Sequence, residues 1–247
     1  MTDRRERIAE DLRTLGVRPG GLLLVHSSYK SLGSDVGGLD AVFAGLRLAL
    51  GEEGTLLFPA LSYMSVGREQ PVFNVRTTPC CVGALPEAFR HLPGVVRSLH
   101  PTHSVCAQGP RAEELTQGHE SDCTPCGAQS PFRRLTERGG QILLLGCGML
   151  PNTTMHTIEE LADAPYLFEP EPLEYTLIGY DGRDQKAVHQ RHAHFPQHFD
   201  RVREPLLGHG LQEGQVLQAQ CYLFEADALR ECALAMLKQD PYAFYKD

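Results

Sequence analysis

The sequence predicts an α/β protein, a single domain over residues 1–247 with a central mixed β-sheet flanked by helices. Three observations lead there. Short apolar runs, LLLVH, TLLFP and QILLLG, read as buried strands. Segments with apolar residues at helical spacing alternate with them, the layout of a sheet covered by helices. Beyond Pro165 the texture changes to EYTLIGY and QKAVH around Asp181-Gly182, a hairpin that adds antiparallel strands.

Each element follows from local signals. Ile8, Leu12 and Leu15 recur at helical spacing, and Gly16 supplies a stop. After Gly20-Gly21, LLLVH is a strand ending at His26, followed by the Ser- and Gly-rich loop SSYKSLGSDVGG. Leu39, Val42, Phe43, Leu46 and Leu50 mark a second helix closed by Gly51, and Thr55 to Pro59 is a second strand. Pro79 to Arg90 reads as a helix with Val82, Leu85 and Phe89 on one face, and Ser104 to Gly109 as a third strand. Ser130-Pro131 opens a helix with a capping serine and a first-turn proline. QILLLG (Gln141 to Gly146) is the strongest strand; QCYLF and a helix from Ala226 to Leu237 end the chain.

The bulk numbers narrow the function. The 247 residues are 42% hydrophobic and 22% charged, with a formal net charge of −8. That charge argues against nucleic acid as a partner, which needs a basic face. No run approaches the roughly 20 apolar residues of a membrane span. The charged N-terminus lacks a secretory h-region, so a cytoplasmic protein is expected. Eight cysteines are too few for a disulfide scaffold in a chain this long. There is no G-x-x-x-x-G-K-[ST] loop, no G-x-G-x-x-G after a strand and no G-x-S-x-G elbow, which disfavours the common nucleotide and serine-hydrolase chemistries.

Five segments could carry chemistry. HSSYKSLGSDVGG offers hydroxyls, a lysine and Gly-Gly at a strand end, where α/β sheets bind ligands. RSLHPTHSVCAQG holds Arg97, Ser98, His100 and His103. His119, Cys123 and Cys126 form H-x-x-x-C-x-x-C, a spacing that suits zinc but lacks the second C-x-x-C of a strong signal. His189, His192, His194 and His198 cluster within ten residues, and one member reaching into an active site is the sharper reading. NTTMHTIEE places His156 in the first turn of a helix with Glu159 and Glu160 on its face. A carboxylate there can hold the imidazole in one tautomer, the logic of a catalytic base; a surface His–Glu pair fits the same letters. Without a second histidine in H-E-x-x-H order, His156 is a proton acceptor rather than a helix zinc ligand.

Taken together, LLLVHSSYKSLGSDVGGLDAV, LGEEGTLLFPALS, TPCCVGALPEAFRHLPGVVRSLHPTHSVCAQGP, SPFRRL, ILLLGCG and NTTMHTIEE resemble, in order and spacing, the aminoglycoside 3-N-acetyltransferases. The resemblance is dense from Leu22 to Glu160 and looser beyond. It implies a mixed α/β fold distinct from the GNAT acetyltransferases and acetyl-coenzyme A as donor. The implied acceptor is an amine, typically on the deoxystreptamine ring of a cationic aminoglycoside. By the same resemblance His156 is the general base and Glu159 its partner. His26, Ser27, Ser28, Lys30, Ser31 and the backbone at Val36-Gly37 line the coenzyme A site, with Arg97 and Ser98 against the same cofactor. The chain departs from that pattern between Leu61 and Thr78, where members often carry a longer, more acidic insertion that holds the sugar. Two other readings stand beside this one: the same fold acting on a different amine, and a zinc enzyme using His119, Cys123 and Cys126.

Overall fold

The computed structural model describes residues 3–245. Its larger sheet has seven strands: β1 (Leu22–Ser27), β2 (Thr55–Pro59), β4 (Val96–Arg97), β5 (Val105–Gln108), β6 (Gln141–Leu145), β9 (Gln212–Val216) and β10 (Ala219–Glu225). They run in the order β4-β5-β2-β1-β6-β10-β9. The middle three, β2, β1 and β6, are parallel, and the strands on both sides pair antiparallel. The sheet is therefore mixed, as the sequence predicts. A smaller sheet joins β3 (Val72–Asn74), β7 (Leu173–Ile178) and β8 (Asp184–His189).

The central strands read as unbroken apolar runs because both faces are covered. Successive side chains alternate between two cores. Leu22, Leu24, Leu57, Ile142 and Leu144 enter one, beneath α4 (Ala112–Thr116), α5 (Pro131–Glu137), α6 (Thr154–Leu161) and α8 (Ala226–Gln239). Leu23, Val25, Leu56, Leu143 and Leu145 enter the other, beneath α1 (Arg4–Leu15), α2 (Leu39–Leu50) and α3 (Ala84–Phe89). In that second core Phe58 packs between Phe43 and Phe89, with centroids 6.1 and 4.8 Å away. Among the described residues no helix is long and apolar enough to cross a membrane.

Two sequence boundaries shift. The helix expected from Pro79 begins only at Ala84, because Gly83 sits at φ 120°. The preceding loop is tied down instead, with the Cys80 amide donating to Glu87 Oε2 at 2.7 Å. The Asp181-Gly182 hairpin is real, but its strands end at Ile178 and resume at Asp184, so the loop is longer than two residues. The two sheets are pinned together by Arg97: its amide donates to the Tyr180 hydroxyl at 2.7 Å, and its guanidinium lies 4.8 Å over the Phe73 ring.

Candidate active site

Ligands of α/β sheets sit beyond the carboxyl ends of parallel strands, and the main cleft of this molecule, about 570 Å³, lies there. Val25, His26 and Ser27 of β1, Pro59 and Leu61 at the end of β2, and Leu150 to Thr153 after β6 form its floor. The chain that follows the small sheet, from Arg191 to Phe199, closes it, with Tyr63 and Val82 at another side.

α6 delivers His156 into this cleft. The Asn152 side chain accepts from the Thr154 amide at 3.2 Å and fixes where the helix starts, so His156 falls in the first turn. Glu159, one turn on, is fully buried, and its Oε2 lies 2.7 Å from His156 Nδ1. The Tyr166 hydroxyl donates to the other oxygen, Oε1, at 2.7 Å. Burial and the Glu159 charge raise the Tyr166 pKa, so this hydroxyl stays a donor. A carboxylate facing Nδ1 selects the tautomer that carries its proton there. Nε2 is left as the acceptor, 3.3 Å from the Gln197 amide nitrogen and lining the cleft. The Phe199 ring stands 5.4 Å from the imidazole and shields it on one side.

Behind His156 runs a chain of imidazoles. His192 is 4.5 Å from it between centroids, His103 is 4.8 Å from His192, and His100 is 6.2 Å from His103. His100 in turn touches His119 at 4.5 Å and His189 at 4.8 Å. Six of the eleven histidines are thus in one cluster. Burial pushes His119 to about 3 and His189 to about 4, and lowers His100, His103 and His192 strongly, so these five rings are neutral. His192 lies tilted beside His156 while its Nε2 pairs with Glu160 Oε1 at 2.8 Å. Consecutive glutamates of α6 therefore hold two different histidines.

Of the residues expected at the cofactor, His26 and Ser27 line the cleft. Burial lowers His26 to about 3, and His26 Nε2 and Ser27 Oγ have no partner within the protein. Ser28, Lys30 and Ser31 follow on a short 3-10 turn, with Ser31 Oγ donating to Ser28 Oγ at 2.9 Å. Val36 buries its side chain in the core, which leaves only backbone to face a ligand, and Gly37 adopts φ 81° at the start of α2. The Ser28 amide is already spent on the Leu145 carbonyl at 2.9 Å, so it is not a free oxyanion donor.

Arg97 and Ser98, expected against the same cofactor, lie elsewhere. Arg97 is buried, and its guanidinium donates to Ser104 Oγ at 2.8 Å, to the Thr78 carbonyl at 2.5 Å and to the Ala60 carbonyl at 2.6 Å. Ser98 Oγ accepts from the Val105 amide and donates to His119 Nδ1, both at 2.9 Å. Neither lines the cleft; they brace β4 and β5. The zinc reading on His119, Cys123 and Cys126 fails as well. Both His119 nitrogens are committed, Nδ1 to Ser98 and Nε2 to the Pro125 carbonyl at 3.1 Å, and Cys123 is exposed. Sequence reasoning missed Tyr166 and Gln197, which no motif marks and only folding brings beside His156. It had flagged His103, His192 and His194, and all three line the cleft.

The site thus holds a buried carboxylate against a histidine that lines a ligand-sized cleft at the carboxyl ends of the parallel strands. Residues 24–238 match the family model for aminoglycoside 3-N-acetyltransferase, and the chain belongs to this family. Aminoglycoside N(3)-acetyltransferase IV of Salmonella is 34% identical over 244 residues, covering 98% of this chain and 90% of that one. Aminoglycoside N(3)-acetyltransferase III of Serratia marcescens is 31% identical, covering 95% and 97%. Among solved structures, a histidine-to-alanine mutant of aminoglycoside acetyltransferase AAC(3)-IVa in complex with a gentamicin superposes with a TM-score of 0.86 at 32% identity, over 100% of this chain and 93% of that one. AAC-IIIb in binary complex with CoASH gives 0.83 at 27% identity, over 95% and 96%.

Proposed function

We propose that this chain transfers the acetyl group of acetyl-coenzyme A to an amine, the 3-amino group of a 2-deoxystreptamine aminoglycoside. The observation that carries the reading is His156, with Nδ1 held by buried Glu159 and Nε2 turned to the cleft. Family membership and the neighbours solved with gentamicin and with coenzyme A support the choice of acceptor and donor. Acetyl-coenzyme A supplies an activated acyl carbon. The chain provides partners for it at the ends of β1 and β6: the Ser27 hydroxyl and the Asn152 side-chain nitrogen are buried without protein partners. Ser28, Lys30, Ser31 and the Val36-Gly37 backbone before α2 form the outer part of that site.

His156 Nε2 accepts the proton that the acceptor amine loses as it attacks, and Glu159 stabilises the resulting imidazolium. Tyr166 holds the second oxygen of Glu159, so the carboxylate keeps its orientation through the step. General-base action of this kind contributes about 10²–10⁴-fold, with positioning in the cleft supplying much of the rest. No acyl-enzyme is needed, and the cysteines take no part. Residues 1–247 act as one acetyltransferase domain, working in the cytoplasm where acetyl-coenzyme A is made available.

The test is thiol release from acetyl-coenzyme A across a panel of aminoglycosides and other polyamines. His156→Ala is expected to abolish amine-dependent release while coenzyme A still binds. Unchanged turnover in that variant overturns the assignment.

A further inference from the structure

Cys126, Glu160 and His192 come from three separate segments, the loop before α5, the end of α6 and the strap that closes the cleft. Their ligand-capable atoms all lie within 4.8 Å of one another, the only such His/Cys/Asp/Glu set among the described residues. The thiol is fully buried, and the Glu160 and His192 side chains are nearly so. His192 pairs with Glu160 at 2.8 Å, and its other nitrogen, Nδ1, is buried with no partner. Among the described residues no Lys or Arg nitrogen is within ion-pair distance of Glu160; His192 alone is. We propose that Cys126, Glu160 and His192 are the protein ligands of a zinc ion that clamps the cleft strap onto α6.

The donor set selects the metal. A thiolate, an imidazole and a carboxylate suit zinc, whereas a thiolate disfavours magnesium and calcium. Zinc bonds of about 2.0–2.3 Å at tetrahedral angles put ligand atoms roughly 3.3–3.7 Å apart, so on loading the three draw together by up to about 1.5 Å. The fourth position is left to water. The supporting contacts are those of a metal site. The Thr124 hydroxyl donates to Glu160 Oε2 at 2.6 Å and the Cys126 amide to Oε1 at 2.9 Å, orienting the carboxylate from behind. Burial raises Glu160 to about 7, and burial followed by the Glu160 charge raises the Cys126 thiol. A divalent cation is the counter-charge for that pair. Loading it displaces the thiol proton, and any proton on Glu160, to solvent while the metal–ligand bonds form.

The ion would sit one imidazole behind His156, since the tilted His192 ring packs against it at 4.5 Å. Its role is to fix the strap, and it takes no part in the acetyl chemistry, so the test does not depend on activity. Protein purified without chelator is analysed for metals by mass spectrometry, then stripped and titrated with Zn²⁺ against a colorimetric chelator. Close to one zinc per chain is expected, and stripping should lower the melting temperature. Cobalt substitution should give a thiolate-to-metal charge-transfer band that Cys126→Ser abolishes. Thr124→Ala, which leaves all three ligands in place, should weaken zinc binding by about 10–100-fold. Only trace metal together with no tight uptake by the stripped protein overturns the proposal. So does full zinc retention in a folded Cys126→Ser variant.

Discussion

Lowering the pH from 7.5 to 5.5 should destabilise this protein by an amount its buried histidines set. His26 and His119 are held near 3 and His189 near 4 by burial, against an ordinary value of 6.5. A histidine depressed on folding contributes stability that is present above its unfolded pKa and lost as pH falls below it. At pH 5.5 these three remain neutral in the folded protein, while their unfolded forms gain a proton. Each costs about 1.4 kcal/mol, roughly 4 kcal/mol together. His100 and His103 are pushed the same way by the same burial and enlarge the loss. Glu160 has the opposite sign: raised from 4.5 to about 7, it takes up its proton first in the folded state. That offsets about 2 kcal/mol in the metal-free protein. The net loss is at least about 2 kcal/mol, a fall in Tm of roughly 5 °C or more for a chain this long. Circular dichroism melts with chelator present measure it directly. His26→Gln should remove one proton from the slope. An equal or higher Tm at pH 5.5 would refute the view that the cluster is buried and neutral.

Three further outcomes follow from the site. Glu159→Gln removes the charge that stabilises protonated His156, and kcat should fall about 10–10³-fold with coenzyme A affinity unchanged, read by steady-state kinetics and calorimetry. Arg97→Met leaves the Thr78 carbonyl without a donor and the Ala60 carbonyl with the Ser104 hydroxyl alone, and chemical denaturation should show a loss of about 2–4 kcal/mol. A folded Arg97→Met protein that has lost coenzyme A binding specifically would restore Arg97 to the cofactor site. Glu169 is the only carboxylate among the cleft-lining residues, and it pairs with Arg191 at 3.2 Å and Arg68 at 3.3 Å. Arg191→Gln should free part of that charge and lower KM for a polycationic acceptor by about 2–10-fold at low salt, an effect that fades as salt rises.

The parallel heart of the sheet was legible because strands buried on both faces leave continuous apolar runs, as in LLLV and QILLL. His156 and Glu159 were legible because a helix turns their spacing of three into contact. β4, only two residues long, and β9, with a mostly exposed QEGQV, carry no such signal and exist through pairing with their neighbours. The surroundings of Arg97 were not legible for a related reason. A guanidinium in a polar loop reads as a ligand contact unless its acceptors are visible, and those acceptors are carbonyls 19 and 37 residues away in sequence. His119 and Cys126 illustrate the same limit: adjacency in sequence suggested a shared role, but one ring is consumed by Ser98 and Pro125 while the thiol faces Glu160 and His192.

Glu159 and Glu160 are neighbours in the chain but grip His156 and His192 separately, because consecutive helical residues diverge by about 100°. One turn of α6 thus acts as an indexing device for the whole cleft. Inserting or deleting a single residue between His156 and Glu160 would rotate both carboxylates off their partners at once, detaching the base from its support and the strap from its anchor. Substitutions on this turn degrade function by degrees; a frame slip within it has no partial outcome. Length variation in this protein should therefore collect in the loops before Asn152 and after Leu161, and never inside that turn.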